Sequence, residues 1–193
     1  MKQLREAIAA QGYGIGSDVV KVDMLLNHRI DTKLLFQMGE AWAEEFRADR
    51  PDLVLTVEAS GIAMAVAAAH ALGDIPAVFA KKSATVVQTG DAVHAPVYSF
   101  THKTENMIRI EKRYLPKGSR VLIIDDFLAN GEAVRGLMSL CEQQEAEVVG
   151  IGIAVEKGFQ DGGRRLREAG LHLKSLAIID AIEDGRLILR EED

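Results

Sequence analysis

Two apolar runs, Arg120 to Ile124 (RVLII) and Val148 to Val155 (VVGIGIAV), flank a single amphipathic helix from about Gly131 to Gln144, and this arrangement leaves few folds open. Strands that are apolar without alternation are buried on both faces, and two of them joined through a helix lie parallel. The same grammar recurs upstream. LVLTVE (Leu53 to Glu58) reads as a strand, Ala59-Ser60-Gly61 as a turn, the alanine-rich stretch ending near Gly73 as a helix, and IPAVFA (Ile75 to Ala80) as a second buried strand. Before them, Asp31 is a good N-cap for a helix whose Leu34, Leu35, Met38, Trp42 and Phe46 share one face, and Pro51 bars its continuation. Leu4 and Ile8 give the first segment a helical face, which Gly12, Gly14 and Gly16 break, leaving a loop-rich opening before Val19 to Val22. The expectation is an α/β protein with a mostly parallel sheet covered by helices on both faces.

Two segments depart from that grammar. The stretch from about 83 to 115 alternates polar and apolar residues, with a turn at Thr89-Gly90-Asp91 and strands near Val97 to Thr101 and Met107 to Ile110. It reads as an antiparallel flap, far longer than the roughly 2–6 residues of ordinary connections. After Gly170, Leu176 to Ile179 and Leu187 to Leu189 flank Glu183-Asp184-Gly185, a hairpin turn. A chain of 193 residues suggests one domain over 1–193. The balance of 23 basic against 29 acidic residues provides no field for gathering a nucleic acid. No apolar run approaches the roughly 20 residues of a membrane span, and Glu6 stands where a signal peptide needs an apolar centre, so neither membrane nor export is expected. The single cysteine, Cys141, lies among Leu137, Met138 and Leu140 and reads as a core thiol in a reducing, cytoplasmic setting. The five histidines show no metal-ligand spacing.

The chemistry concentrates in VLIIDDFLANGEA, Val121 to Ala133. Four apolar residues put the carboxyl end of a buried strand at Asp125-Asp126, where open α/β sheets bind ligands. The backbone amides of Ala129, Asn130, Gly131, Glu132 and Ala133 then surround a point at a helix N-terminus suited to a phosphate. Adjacent carboxylates about one sugar away suit the hydroxyls of a vicinal diol. From these residues alone, an acidic pair that merely caps a turn and a helix fits equally well.

This stretch resembles the 5-phosphoribosyl 1-diphosphate (PRPP) signature of the type I phosphoribosyltransferases. Together with KVDMLLNH (Lys21 to His28), VEASGIA (Val57 to Ala63), VFAKK (Val78 to Lys82), VYSFT (Val97 to Thr101) and GIGIAVEKGFQ (Gly150 to Gln160), it is similar to the bacterial branch of that family that uses xanthine in purine salvage. The resemblance implies the type I phosphoribosyltransferase fold, with a hood formed by about 1–30 and 156–193. It implies an enzyme that transfers the phosphoribosyl group of PRPP to xanthine, giving xanthosine 5′-monophosphate and pyrophosphate. Asp125 and Asp126 would bind the ribose hydroxyls, Ala129 to Ala133 the 5-phosphate, and Ser60 and Gly61 the pyrophosphate, though a turn of this kind also serves as plain capping. Lys81 and Lys82 would reach the pyrophosphate, or stand as two solvated lysines. Xanthine's carbonyl oxygens ask for donors, and Lys157 and Asn27 occupy the family's base-contacting places. Val20 stands where the family usually has Leu, and Phe159 would stack on the purine or belong to the core. Mg2+ would be held mainly by substrate oxygens, with no protein metal ligand, and the chain would form a homodimer. The flap from about Ser83 to Thr104 would close over the site. Where many members carry Thr in the phosphate loop, this chain has Asn130 and Ala133, so a hydroxyl contact is missing or replaced by backbone. Two other readings remain at this point: a hypoxanthine or guanine phosphoribosyltransferase, separated by what guanine's 2-amino group requires, and a PRPP-sensing regulator without catalysis.

Overall fold

The computed structural model of the chain describes residues 1–82, 91–99 and 104–191. Helix α1 (Lys2–Gln11) buries Leu4 and Ile8. Strands β1 (Tyr13–Ile15) and β2 (Val19–Lys21) pair antiparallel, and a π-helical turn at Asp23–Asn27 leads to α2 (Thr32–Phe46). Asp31 caps α2 as expected, its carboxylate accepting the Leu34 N–H at 3.1 Å. Then follow β3 (Leu53–Val57), α3 (Gly61–Ala71), β4 (Ala77–Ala80), β5 (Ala92–Ser99), β6 (Thr104–Glu111), β7 (Arg120–Leu128), α4 (Glu132–Gln143), β8 (Glu147–Lys157), α5 (Gly162–Glu168), β9 (Leu173–Glu183) and β10 (Arg186–Leu189).

Among the described residues, six strands form one sheet in the order β10-β9-β8-β7-β3-β4, parallel from β9 to β4 and closed by antiparallel β10. Successive side chains of β7 point to opposite faces. Leu122 and Ile124 join Leu4, Ile8, Trp42, Phe46 and Met64 under α1, α2 and α3, while Val121 and Ile123 join Leu137, Leu140 and Ile108 under α4 and the β5–β6 pair. Helices therefore cover both faces, as the apolar runs require. Cys141 is buried in the second layer and its thiol is pushed up to about 12 by burial, as befits a core residue.

Several expectations need correction. The strand expected to end at the two aspartates runs on to Leu128, because β8 keeps pairing with β7 as far as Leu128 opposite Glu156 while β3 stops pairing at Leu55 opposite Ile123. The strand Ile75 to Ala80, expected buried, lies at the edge of the sheet with Ala77 and Phe79 exposed. The glycine-rich opening holds β1, where Gly14 pairs with Val20 and a Cβ would stand 2.2 Å from the Ile182 side chain. Helix α5 had no counterpart in the sequence reading. The turn at Thr89-Gly90 and the closing part of the flap, 83–90 and 100–103, lie outside the described residues. The described part of that segment is the antiparallel β5–β6 pair, one face of which is core, with Val93, Ala95, Ile108 and Ile110 buried in the second layer, while Tyr98 and Met107 on it are exposed.

Candidate active site

Numbered along the chain, the parallel strands β3, β4, β7, β8 and β9 occupy the order β4-β3-β7-β8-β9, so the order reverses between β3 and β7. Ligands of doubly wound sheets bind beyond the carboxyl ends of the strands at such a reversal. Here β7 and β3 part company after Ile123, and Asp125 and Asp126 sit in the opening, only 4% and 9% exposed. The Asp126 N–H donates to Asp125 Oδ1 at 3.0 Å. Burial, and after it the negative charge of Asp126, hold the Asp125 carboxyl well above the usual carboxylate range, and Lys82 opposes the shift.

Three loops converge on this opening. The first follows β7: Ala129 to Gly131 lead into α4, with Gly131 at φ +86° as N-cap, a left-handed conformation that favours glycine. Its carbonyls are engaged elsewhere, Asn130 O accepting from Arg135 at 2.9 Å and Ala129 O from the Gly162 N–H at 3.1 Å. The second follows β3: Glu58 to Gly61 open α3, the Glu58-Ala59 peptide is cis, and Ser60, the N-cap of α3, makes no side-chain cap hydrogen bond among the described residues. A Cβ on Gly61 would stand 2.0 Å from Thr56 Oγ1 and 3.1 Å from Asp125 Oδ1, so only glycine lets α3 begin this close to the carboxylate. The third follows β4: Lys82 N–H donates to Glu58 Oε1 at 2.6 Å, and the Lys81 backbone bridges to Arg109 in both directions at 2.9 Å.

Beside the end of β4 and the β7–α4 loop lies a cleft of about 470 Å³ whose walls include Val57, Lys82, Asn130, Gly131 and Glu132, with Tyr98 and Asn106 from the β5–β6 pair; Asp125, Asp126, Ser60, Gly61 and Lys81 are not among the residues that line it. Sequence reasoning missed Tyr98 and Asn106, and it missed Thr56, whose buried hydroxyl has no hydrogen-bond partner among the described residues. The β5–β6 register sets Asn106 opposite Val97, next to Tyr98, and no local motif marks such a pairing.

The residues assigned to the base are not among those lining this cleft. Lys157 ends β8, half-buried, its Nζ donating to the Asp18 carbonyl at 2.7 Å, and burial lowers its pKa with Asp18 opposing. Val20 points into the first core layer, and Phe159 packs against the same layer, as does Phe127 of the cleft wall. Asn27 ends the π-helical turn. The β1–β2 pair is tied to the β9–β10 hairpin by Gly14 N–H donating to Gly185 O at 2.9 Å.

Among known proteins, the Phosphoribosyl transferase domain family matches residues 28–175. A xanthine phosphoribosyltransferase of Bifidobacterium adolescentis is 50% identical over 183 residues, 95% of each chain. That of Geobacillus thermodenitrificans is 47% identical over 192 residues, all of this chain and 98% of its own, and that of Clostridioides difficile 44% over 190 residues, 98% and 100% of the two chains. Among solved structures, an adenine phosphoribosyltransferase from Rhodothermus marinus superposes with a TM-score of 0.74 at 22% identity, covering 93% of this chain and 100% of its own, a likeness of fold.

Proposed function

From the premise that this chain belongs to the phosphoribosyl transferase domain family, we propose that it transfers the 5-phosphoribosyl group of PRPP to xanthine, giving xanthosine 5′-monophosphate and pyrophosphate in purine salvage. The observation that carries this reading is the meeting, at the reversal of strand order, of two buried carboxylates with the glycine-bearing N-terminus of α4. The full-length likeness to xanthine phosphoribosyltransferases supports xanthine as the acceptor.

In this reading the amides of Ala129 to Ala133 hold the 5-phosphate at the positive end of α4. Asp125 and Asp126 accept from the ribose hydroxyls and fix the anomeric carbon for attack by an imidazole nitrogen of xanthine. The new bond joins that carbon to nitrogen as its bond to the pyrophosphate oxygen breaks, through an oxocarbenium-like transition state. Ser60, Gly61 and Lys82 receive the departing pyrophosphate, with Lys81 beside them, and catalysis consists of positioning and charge stabilisation. Lys157 and Asn27 donate to the carbonyl oxygens of the base, Val20 contributes through its backbone, and Phe159 borders the ring. The β1–β2 pair and the β9–β10 hairpin form the hood over it.

The donor type fits magnesium: Asp125 and Asp126 supply hard carboxylate oxygens, which would stand beside the ribose. When bound, the cation would be held mainly by substrate oxygens and water beside these two residues, and it would supply neutralising charge to the leaving pyrophosphate. The proposal also includes a second copy of the chain as partner and a cytoplasmic setting, where a buried free thiol such as Cys141 stays reduced. No helix among the described residues is long and apolar enough to cross a membrane.

The test is a parallel assay with PRPP and Mg2+ that offers xanthine, hypoxanthine, guanine and adenine separately and detects nucleotide by chromatography. Preference for xanthine is expected. Preference for guanine or hypoxanthine would overturn the base assignment, and PRPP binding without turnover would leave a sensor.

A further inference from the structure

The register that carries β7 past the aspartates sets Glu156 of β8 opposite Leu128, the last strand residue before the phosphate loop. Glu156 is 2% exposed, a position where a charge must be paired. Both of its oxygens are: Arg167 Nη1 donates to Oε1 and Nη2 to Oε2, each at 2.7 Å, and Ser175 Oγ donates to Oε2 at 2.5 Å. Arg167 lies on α5, and the two glycines that begin this helix face different partners. A Cβ on Gly163 would stand 2.0 Å from Glu156 Oε1. A Cβ on Gly162 would stand 2.3 Å from the carbonyl oxygen of Ala129 and 2.8 Å from the Gly131 nitrogen. Helix α5 is thus wedged between a buried carboxylate and the backbone of the phosphate loop.

We propose that Glu156 and Arg167 are positioning residues for the phosphoribosyl donor. Their bidentate pair holds α5 in place, and through it the Gly162 N–H occupies the Ala129 carbonyl, so that the loop offers amides and not this carbonyl oxygen to the anion. A carbonyl turned inward would repel a phosphate, so the orientation of one peptide decides whether the cradle attracts. Lysine at 167 keeps the charge but lacks the planar fork that meets both oxygens. The inference rests on the reading of Ala129 to Ala133 as the 5-phosphate site, and the experiment separates the two.

Arg167→Met, Arg167→Lys, Gly162→Ala and Asn130→Asp are made in the full chain, their folding checked by thermal melting, and two probes are titrated by calorimetry: ribose 5-phosphate, which carries only the 5-phosphate, and pyrophosphate with Mg2+. The first three variants are expected to weaken ribose 5-phosphate roughly tenfold or more, as misplaced binding groups do, and to leave pyrophosphate within about twofold. Should Arg167→Met fail to fold with Glu156 unpaired, Arg167→Lys decides the matter, because the Cβ of Gly162→Ala would press directly on the loop at Ala129 O and the Gly131 nitrogen and serves only to show that displacing the loop costs ribose 5-phosphate affinity. Unchanged ribose 5-phosphate affinity in these variants, or equal losses of both probes, overturns the positioning role. Asn130→Asp puts a negative charge on the loop itself. Loss there alone refutes the role of α5 and keeps the loop, whereas no loss there refutes the loop reading and the inference with it.

Discussion

Asp125 works against the stability of the fold that carries it. Its carboxyl is raised well above the ordinary value of 3.8, first by burial and then by Asp126. The folded chain therefore holds this proton more tightly than the unfolded chain. The stability it contributes is full below the ordinary value and is lost as pH rises through the raised folded value. Asp125→Asn removes the titration while keeping an oxygen for the Asp126 N–H. The variant is expected to match the parent in melting temperature at acid pH and to exceed it as pH climbs to neutrality. Its kcat/KM for PRPP should fall roughly 10- to 150-fold, since hydrogen bonds to charged groups contribute about 1.5–3 kcal/mol. A variant less stable than the parent at pH 7 would mean that the carboxylate is a structural group. Lys157 permits a narrower test. Lys157→Met removes the donor proposed for xanthine, so the KM for xanthine should rise by a similar factor while the KM for PRPP stays within about twofold. Steady-state kinetics with each substrate varied separates the two, and parallel rises would count against a base contact.

At the scale of elements, legibility followed how local the physics was. Asp31 and its helical face announced α2, and Asp184-Gly185 announced the β9–β10 turn, where both residues have positive φ (48° and 79°), as a tight two-residue hairpin requires. The acidic pair on β7 and the glycine that caps α4 were legible for the same reason. What stayed hidden depends on partners distant in sequence. β4 is as apolar as its neighbours, and only the strand order reveals that it is an edge. The length of β7 is set by β8, and Tyr98 and Asn106 reach the cleft through a pairing register. Gly39 shows the conflict in energy. By helix propensity, alanine in the middle of α2 should stabilise by about 1 kcal/mol. In the fold, a Cβ there would stand 2.5 Å from the Ala67 carbonyl oxygen of α3. Gly39→Ala is therefore expected to destabilise by about 1–3 kcal/mol, the cost of overpacking. A denaturant midpoint lower than the parent's checks this, and a higher one would show that α2 and α3 separate without cost.

For the whole molecule, the candidate site is a junction of elements far apart in the chain. The ends of β3 and β4, the β5–β6 pair and the β7–α4 loop meet around one cleft, the β3–α3 loop is tied to its edge through Glu58 and the Lys82 N–H, and α5 braces the β7–α4 loop from behind. A ligand that bridges them binds the folded chain and has nothing equivalent to hold in the unfolded one, so its binding free energy adds to global stability. PRPP at about 100 times its dissociation constant should contribute about 2.7 kcal/mol. At about 2–4 °C per kcal/mol for a domain of this size, that is a rise in melting temperature of roughly 5–11 °C. Magnesium divides the alternatives further. With no cluster of three ligating side chains among the described residues, Mg2+ alone should leave the melting temperature within about 1 °C, while removing it with a chelator should shrink the rise that PRPP produces. A large rise from Mg2+ alone would reveal a protein-held metal and move the cation from the substrate to the chain. Equal protection by PRPP with and without the chelator would mean that Lys82, Ser60 and the α3 N-terminus carry the pyrophosphate charge unaided, a heavier electrostatic task than one exposed lysine suggests.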